Sequence, residues 1–223
     1  LVLFSVIIIT GERNAVLIST LTILFIFFFK KKLKFFFLFI TLLIVLIFSL
    51  SVFSKGVEER FVKPIKSLNN LNTANIYEKL INNPWGHHYE ASIELFLEKP
   101  IFGHGPKSYR IACQKTKIQK KLKEQKSAYL ACATNPHNYL LEFLSENGIV
   151  GGIFFLGIIF IIIYQILGII KKNSSENLVA IALGSLILAI IFPFKPSGSF
   201  FSTFNSTMLF YIFGFYLHCL KKI

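Results

Sequence analysis

The sequence is short of what a soluble domain needs on its surface. Only 16% of its 223 residues are charged, and 11 acidic residues stand against 24 basic ones. Fifty-four per cent are hydrophobic, with 26 Phe, far too apolar for a soluble domain of this length. No internal repeat is visible, and no segments alternate apolar and polar residues as barrel strands do, so a β-barrel is excluded. The long apolar runs hold almost no charge, which argues against a transporter with ionisable groups in mid-membrane. There is no Met at the start and no signal-peptide n-region. The first residue, Leu1, lies inside an apolar run, and the chain reads as a fragment whose N-terminal part is missing.

What is present is a set of apolar runs separated by basic clusters, the pattern of an all-α polytopic membrane protein. Residues 1–54 read as a truncated span (1–10) and two further spans (15–29 and 35–54). Residues 55–148 form one polar segment, and 149–223 carry three more spans (149–170, 178–194 and 203–220), about six in all. The formal charge of +13 suggests nucleic acid at first sight, but ten of the basic residues flank spans. The other 14 lie in 55–148 against nine acidic ones, leaving +5, which suits phosphorylated lipids and gives no reason to expect a nucleic-acid partner. The lysine clusters at 30–34, 171–172 and 221–222 assign one side as cytoplasmic. The GERN turn (11–14), the whole of 55–148 and KPSGSF (195–200) then fall together on the outer side.

The outer segment has a pattern of its own. Tyr89, Ile93, Phe96 and Leu97 recur at helical spacing, and the run stops at Pro100. IFGHGP (101–106) is a turn with two glycines able to take positive φ. Residues 107–131 are Lys-rich, with Ile111, Ile118 and Leu122 as a thin apolar stripe. Cys113 and Cys132 lie on the outer side, where disulfides persist, and Cys219 is left at the cytoplasmic end. A bond between the pair is worth about 3 kcal/mol in the chain-entropy model. A continuous helix would hold the two roughly 30 Å apart, so a bond requires the Lys-rich stretch to double back.

The densest signal is NPHNYLLEFLSENG (135–148). Asn135 reads as an N-cap and Pro136 as the first helical residue, with His137 and Asn138 in the first turn. Tyr139, Leu140, Phe143 and Leu144 make an apolar face, and Gly148 closes the helix. A histidine in the first turn feels the positive end of the macrodipole, which favours the neutral imidazole a general base needs. The same helix end suits a phosphate.

Three elements together resemble the O-antigen ligase family, which includes O-antigen polymerases and oligosaccharyltransferase-like relatives. They are TGERNAVL (10–17) with its arginine, ASIELFLEKPIFGHGPKSYR (91–110) with its Pro and Gly-x-Gly turn, and NPHNYLLEFLSENGIVGG (135–152) with its His-Asn and Gly-x-x-Gly. The resemblance implies a GT-C-like membrane glycosyltransferase that is inverting and needs no metal or other cofactor. The implied donor is a glycan on undecaprenyl pyrophosphate. The implied acceptor is a hydroxyl of lipid A–core for a ligase or of another glycan for a polymerase, at the bacterial inner membrane with the large loop in the periplasm. It also implies arginines on the pyrophosphate and the loop histidine as base. One departure is clear: His87 and His88 stand where many members have an arginine, leaving Arg60 or Arg110 as alternatives for that role.

The expected site is therefore His137 as base, with Asn138 either orienting the imidazole or capping the helix. Arg13 binds phosphate or anchors at the interface; His87, His88 and Arg110 are further substrate-binding candidates. His87 and His88 make a poor zinc pair, since adjacent helical residues point about 100° apart. His104 reads as a turn residue. The lysines at 115, 117, 120, 121, 123 and 126 read as a solvated face or a face drawn to anionic lipid, and Glu90, Glu94 and Glu98 as a solvated face. Gly148, Gly151 and Gly152 read as structural, letting the next span pack closely. Two other classes compete with a transferase: a flippase of lipid-linked glycans, which calls for charged spans and two related halves, and a structural membrane protein with a receptor-like outer domain.

Overall fold

The computed structural model describes residues 2–66, 83–127, 130–171 and 178–221, and all regular structure among them is helical. The expected KNSSEN loop and Lys172 and Lys222 of the basic clusters lie outside the described residues. The chain forms two compact units, one of residues 1–72, 163–190 and 212–223, the other of 73–162 and 191–211.

In the first unit, helix Arg13–Phe29 packs along Leu178–Ile190. On another side of Leu178–Ile190, Gly184 permits close approach of Ile166 and Tyr216, on which a Cβ would press. Ile8, Val16 and Val57 form a buried cluster with Leu46, Ile47 and Phe61 around it. Helix Leu33–Phe53 has no buried residue, and Phe37, Val45 and Val52 stand exposed, as side chains facing hydrocarbon should. Among the described residues two helices, Leu33–Phe53 and Tyr139–Lys171, are long and apolar enough to cross a membrane; Arg13–Phe29 and Leu178–Ile190 are shorter apolar helices. The span expected over 178–194 stops being helical at Ile190. Arg60 donates to the Gly11 carbonyl at 3.0 Å and folds over that glycine, whose φ is +72°.

In the second unit, helix Pro84–Glu98 starts at Asn83, whose side chain accepts the Gly86 N–H at 2.9 Å. Its buried face is not the expected one. Ala91 and Leu95 enter the core with Tyr109, Cys113, Ile118, Leu122 and Ala131, while Ile93 and Leu97 are exposed, as is Ile111 of the second stripe. An apolar stripe marks a side that avoids water, and beside a membrane this side need not be the core. Small residues at Ala91 and Ser92 let the opposite face pack more closely. Cys113 and Cys132 are bonded, with Cα atoms 5.6 Å apart. The chain doubles back through helix Lys117–Glu124, and all six lysines are exposed. Glu94 is not merely solvated: it accepts the Lys117 N–H at 2.6 Å at the start of that helix. Glu98 lies 3.7 Å from the His104 ring.

The Gly-x-Gly turn docks on the kink at Gly148. His104 and Gly105 donate backbone N–H groups to the carbonyls of Ser145 and Glu146 at 3.2 and 2.7 Å. Ile149 donates to Pro100 at 2.7 Å. Gly148 adopts φ 66° and ψ −160° inside Tyr139–Lys171, a conformation essentially reserved for glycine. It therefore closes the polar first part, Tyr139 to Asn147, and the apolar span runs from 149 to 171. A Cβ on Gly103 would strike the Glu146 carbonyl, and one on Gly148 the Ile101 carbonyl. Gly151 and Gly152, at the start of the span, make room for Asn147 and Leu144 of the segment before the kink, so the span packs closely against it.

Candidate active site around His137

His137 lies outside the helix it was expected to begin. The helix starts at Tyr139, and Asn138 is its cap, with Oδ1 accepting the Leu141 N–H at 3.0 Å. Asn135 instead forms a local turn, its Oδ1 accepting the His137 N–H at 2.7 Å. This bends His137 to φ +55°, a left-handed conformation uncommon for a residue with a Cβ. The physical reason is competition: a short asparagine side chain offers the backbone an alternative to the first helical turn. The macrodipole is then not the main influence on the imidazole. Burial lowers the His137 pKa, the neighbouring His88 lowers it further, and a hydrogen bond with the Ser197 backbone opposes both. The neutral form is favoured, by a different route from the one expected.

The His137 ring stands edge-on to Trp85, centroids 4.9 Å apart, and 5.2 Å from the ring of His88. His88 Nδ1 is 2.6 Å from the Ala131 carbonyl, so that nitrogen carries the proton. Tyr109 donates its hydroxyl toward the same carbonyl at 2.9 Å. His87 is buried, its pKa lowered chiefly by that burial, and its Nδ1 has no hydrogen-bond partner among the described residues. The structure thus brings His88 to His137. Asn138 caps the helix and donates its amide to the carbonyls of Pro193 and Lys195 at 2.7 and 3.3 Å, so its side chain is committed to backbone groups. Ser197 N–H donates to the His137 carbonyl at 2.8 Å. Asn138 and Ser197 thereby tie the KPSGSF turn to the His-Asn pair. Arg13 belongs to the first unit, exposed at the first residue of its helix.

Sequence reasoning passed over two carboxylates four residues apart in the same motif. Glu142 is 2% exposed, accepting the Ser199 hydroxyl at 2.5 Å and the Phe200 N–H at 2.6 Å. Burial raises its pKa to about 7, and those two bonds hold it down in part. Glu146 accepts the N–H groups of Lys107 and Tyr109 at 2.5 and 3.0 Å, and burial raises its pKa too. Their i, i+4 spacing beside Tyr139 and Phe143, on the face that turns inward, is the signal that could have found them. Lys195 was missed as well: it is 3% exposed, its ammonium lies 5.5 Å from the centre of the Tyr139 ring, and burial lowers its pKa to about 8. Glu142, Glu146, Asn135 and Arg110 line a cleft of about 470 Å³ within the second unit. The His137 ring is not among its walls.

A family model described as O-antigen ligase matches residues 1–156, well over half of the chain. No curated protein and no solved structure matches it. Membership implies a membrane enzyme of the glycosyltransferase kind acting on lipid-linked glycans. The matched residues include the Arg13 helix, the Gly-x-Gly turn and the His-Asn motif that packs upon it, and the chain belongs to the O-antigen ligase family.

Proposed function

We propose that this chain transfers a glycan from undecaprenyl pyrophosphate to an acceptor hydroxyl on lipid A–core, as an O-antigen ligase at the bacterial inner membrane, with residues 55–148 in the periplasm and about six spans in this segment. The observation that carries the reading is His137: half-buried, bent out of its helix by Asn135, and favoured in the neutral form. Its unprotonated nitrogen takes the proton from the acceptor hydroxyl as that oxygen attacks the anomeric carbon. The bond from that carbon to the pyrophosphate oxygen breaks, undecaprenyl pyrophosphate leaves with the electron pair, and the configuration inverts. The pyrophosphate is already a good leaving group, so charge stabilisation matters more than its protonation. Arg13 supplies that charge, and no metal enters the scheme. His87, His88 and Arg110 are the remaining substrate-binding candidates, with His88 closest to the base and Asn138 positioning it through the backbone.

A polymerase or a protein oligosaccharyltransferase would use the same donor chemistry with a different acceptor hydroxyl. A flippase would need no base. His137→Ala, expressed at the normal level in membranes, separates these: loss of transfer supports the enzyme, and full transfer activity rejects it. Comparing lipid A–core with a glycan acceptor in the same assay separates ligase from polymerase.

A further inference from the structure

We propose that the cleft beside the His-Asn motif is a carbohydrate subsite, which takes a short stretch of sugar units through their hydroxyls. The proposal rests on the transferase reading and adds where the glycan lies. At about 470 Å³ the cleft falls within the size range of small-molecule sites. Its walls carry the groups that read vicinal hydroxyls: the Arg110 guanidinium, the Asn135 and Asn205 amides, the Glu142 carboxyl and the Ser202 hydroxyl, with Phe201 as an apolar wall. Planar forked groups of this kind can bond two neighbouring oxygens at once.

Three of these groups are held before any ligand arrives. Glu142 is fixed by Ser199 and Phe200. Asn205 donates to the Ser199 carbonyl at 2.9 Å. Asn135 is fixed by the His137 N–H. Pre-ordered partners reduce the entropy lost on binding. A phosphate fits less well, because Glu142 and Glu146 share the cleft with Lys107 and Arg110, and each carboxyl that ionises offsets the attraction of the two cations for a phosphate. Asn135 links the cleft to the base: it lines the wall and bends His137, whose ring lies on the Trp85 and His88 side. A sugar in the cleft therefore sits beside the base without occupying its place.

The donor glycan and the acceptor glycan share this chemistry, and the test distinguishes them. Thr203 is exposed on the cleft wall, so Thr203→Trp in the whole chain, purified in lipid nanodiscs, fills the cleft from its rim. Arg110→Ala is the second variant should the tryptophan disturb folding. KM is measured separately for the undecaprenyl-pyrophosphate-linked donor and for lipid A–core. Binding of the lipid-free core oligosaccharide and of the lipid-free donor glycan is measured by saturation-transfer NMR. The expected result is a KM raised about tenfold for one of the two substrates, as loss of one charge-assisted hydrogen bond would give, with kcat changed far less. The substrate affected identifies the glycan, and the matching lipid-free oligosaccharide loses its NMR signal in both variants but keeps it in His137→Ala. Unchanged KM for both substrates in both variants overturns the subsite and leaves the transferase reading standing. Oligosaccharide binding lost in the variants, in a wild-type protein that transfers nothing, supports the subsite and removes the transferase reading.

Discussion

Asn135 holds His137 out of its helix: the asparagine Oδ1 accepts the His137 N–H at 2.7 Å, and the histidine takes a φ of +55°. Left-handed backbone at a residue with a Cβ costs about 1–3 kcal/mol and persists only where its surroundings enforce it. Asn135→Ala removes that enforcement. It is expected to lower kcat about tenfold or more, since a misplacement of about 1 Å can cost up to about 10²-fold. Asn135→Asp keeps the acceptor oxygen and should recover most of the loss. Equal activity in the alanine and aspartate variants would show that the turn does not position the base.

The pH dependence of transfer follows from His137. Its pKa lies below the ordinary 6.5, so the neutral, active form persists to lower pH than for a free imidazole. The acid limb of kcat/KM should fall below pH 6.5. In His88→Gln the neighbouring positive charge can no longer form, so the limb should move upward toward 6.5. A limb at or above 6.5 in the wild type would contradict a buried neutral base. His137→Ala should cut turnover by about 10²–10⁴-fold, the usual range for general-base assistance.

Glu142 links stability to pH in a way ordinary carboxylates do not. Its pKa rises from 4.5 to about 7 on folding, so the folded state holds its proton more tightly than the unfolded state does. The stability it contributes is fully present below pH 4.5 and is lost as pH rises toward 7. Glu142→Gln keeps an acceptor for the Phe200 N–H and should flatten this part of the curve of melting temperature against pH. Glu142→Ala leaves the Phe200 N–H and the Ser199 hydroxyl without their partner and should cost about 1–3 kcal/mol. A Gln variant with the wild-type pH slope would assign the slope to other groups.

Gly148→Ala should be the most damaging small substitution in the motif. The new Cβ meets the Ile101 carbonyl and the backbone conformation is one that glycine alone adopts readily, a strain of about 1–3 kcal/mol before the collision is counted. Gly157→Ala in the same helix has open space around it and should be neutral or slightly stabilising. Thermal melts in detergent compare the two, and a Gly148→Ala protein as stable as Gly157→Ala would mean the kink is not required.

The proposed topology is tested by labelling. Lys120 is exposed, and Lys120→Cys in a periplasmic loop should react with a membrane-impermeant maleimide in cells whose outer membrane alone is opened. Labelling only after the inner membrane is breached would reverse the orientation.

Composition and lysine placement already determined the membrane character and the all-helical class, because a chain this apolar can satisfy its backbone in lipid only by helices or a closed barrel, and no strand pattern was present. The motif spacings also marked His137 and the two glycine turns, since glycine is needed wherever backbone meets backbone, as at Gly103 and Gly148. What only the tertiary structure decided is which faces and which partners these residues take. The apolar stripe of Ile93 and Leu97 pointed outward, because near a membrane apolar character does not identify the core. Asn135 and Pro136 looked like a helix start until the Asn135 side chain captured the His137 N–H. Glu142 and Lys195 looked like ordinary polar residues because burial is a property of the packing around a side chain: the segments from Pro193 to Phe200 and from Tyr139 to Glu146 lie some fifty residues apart in sequence, and only their meeting removes both charges from water.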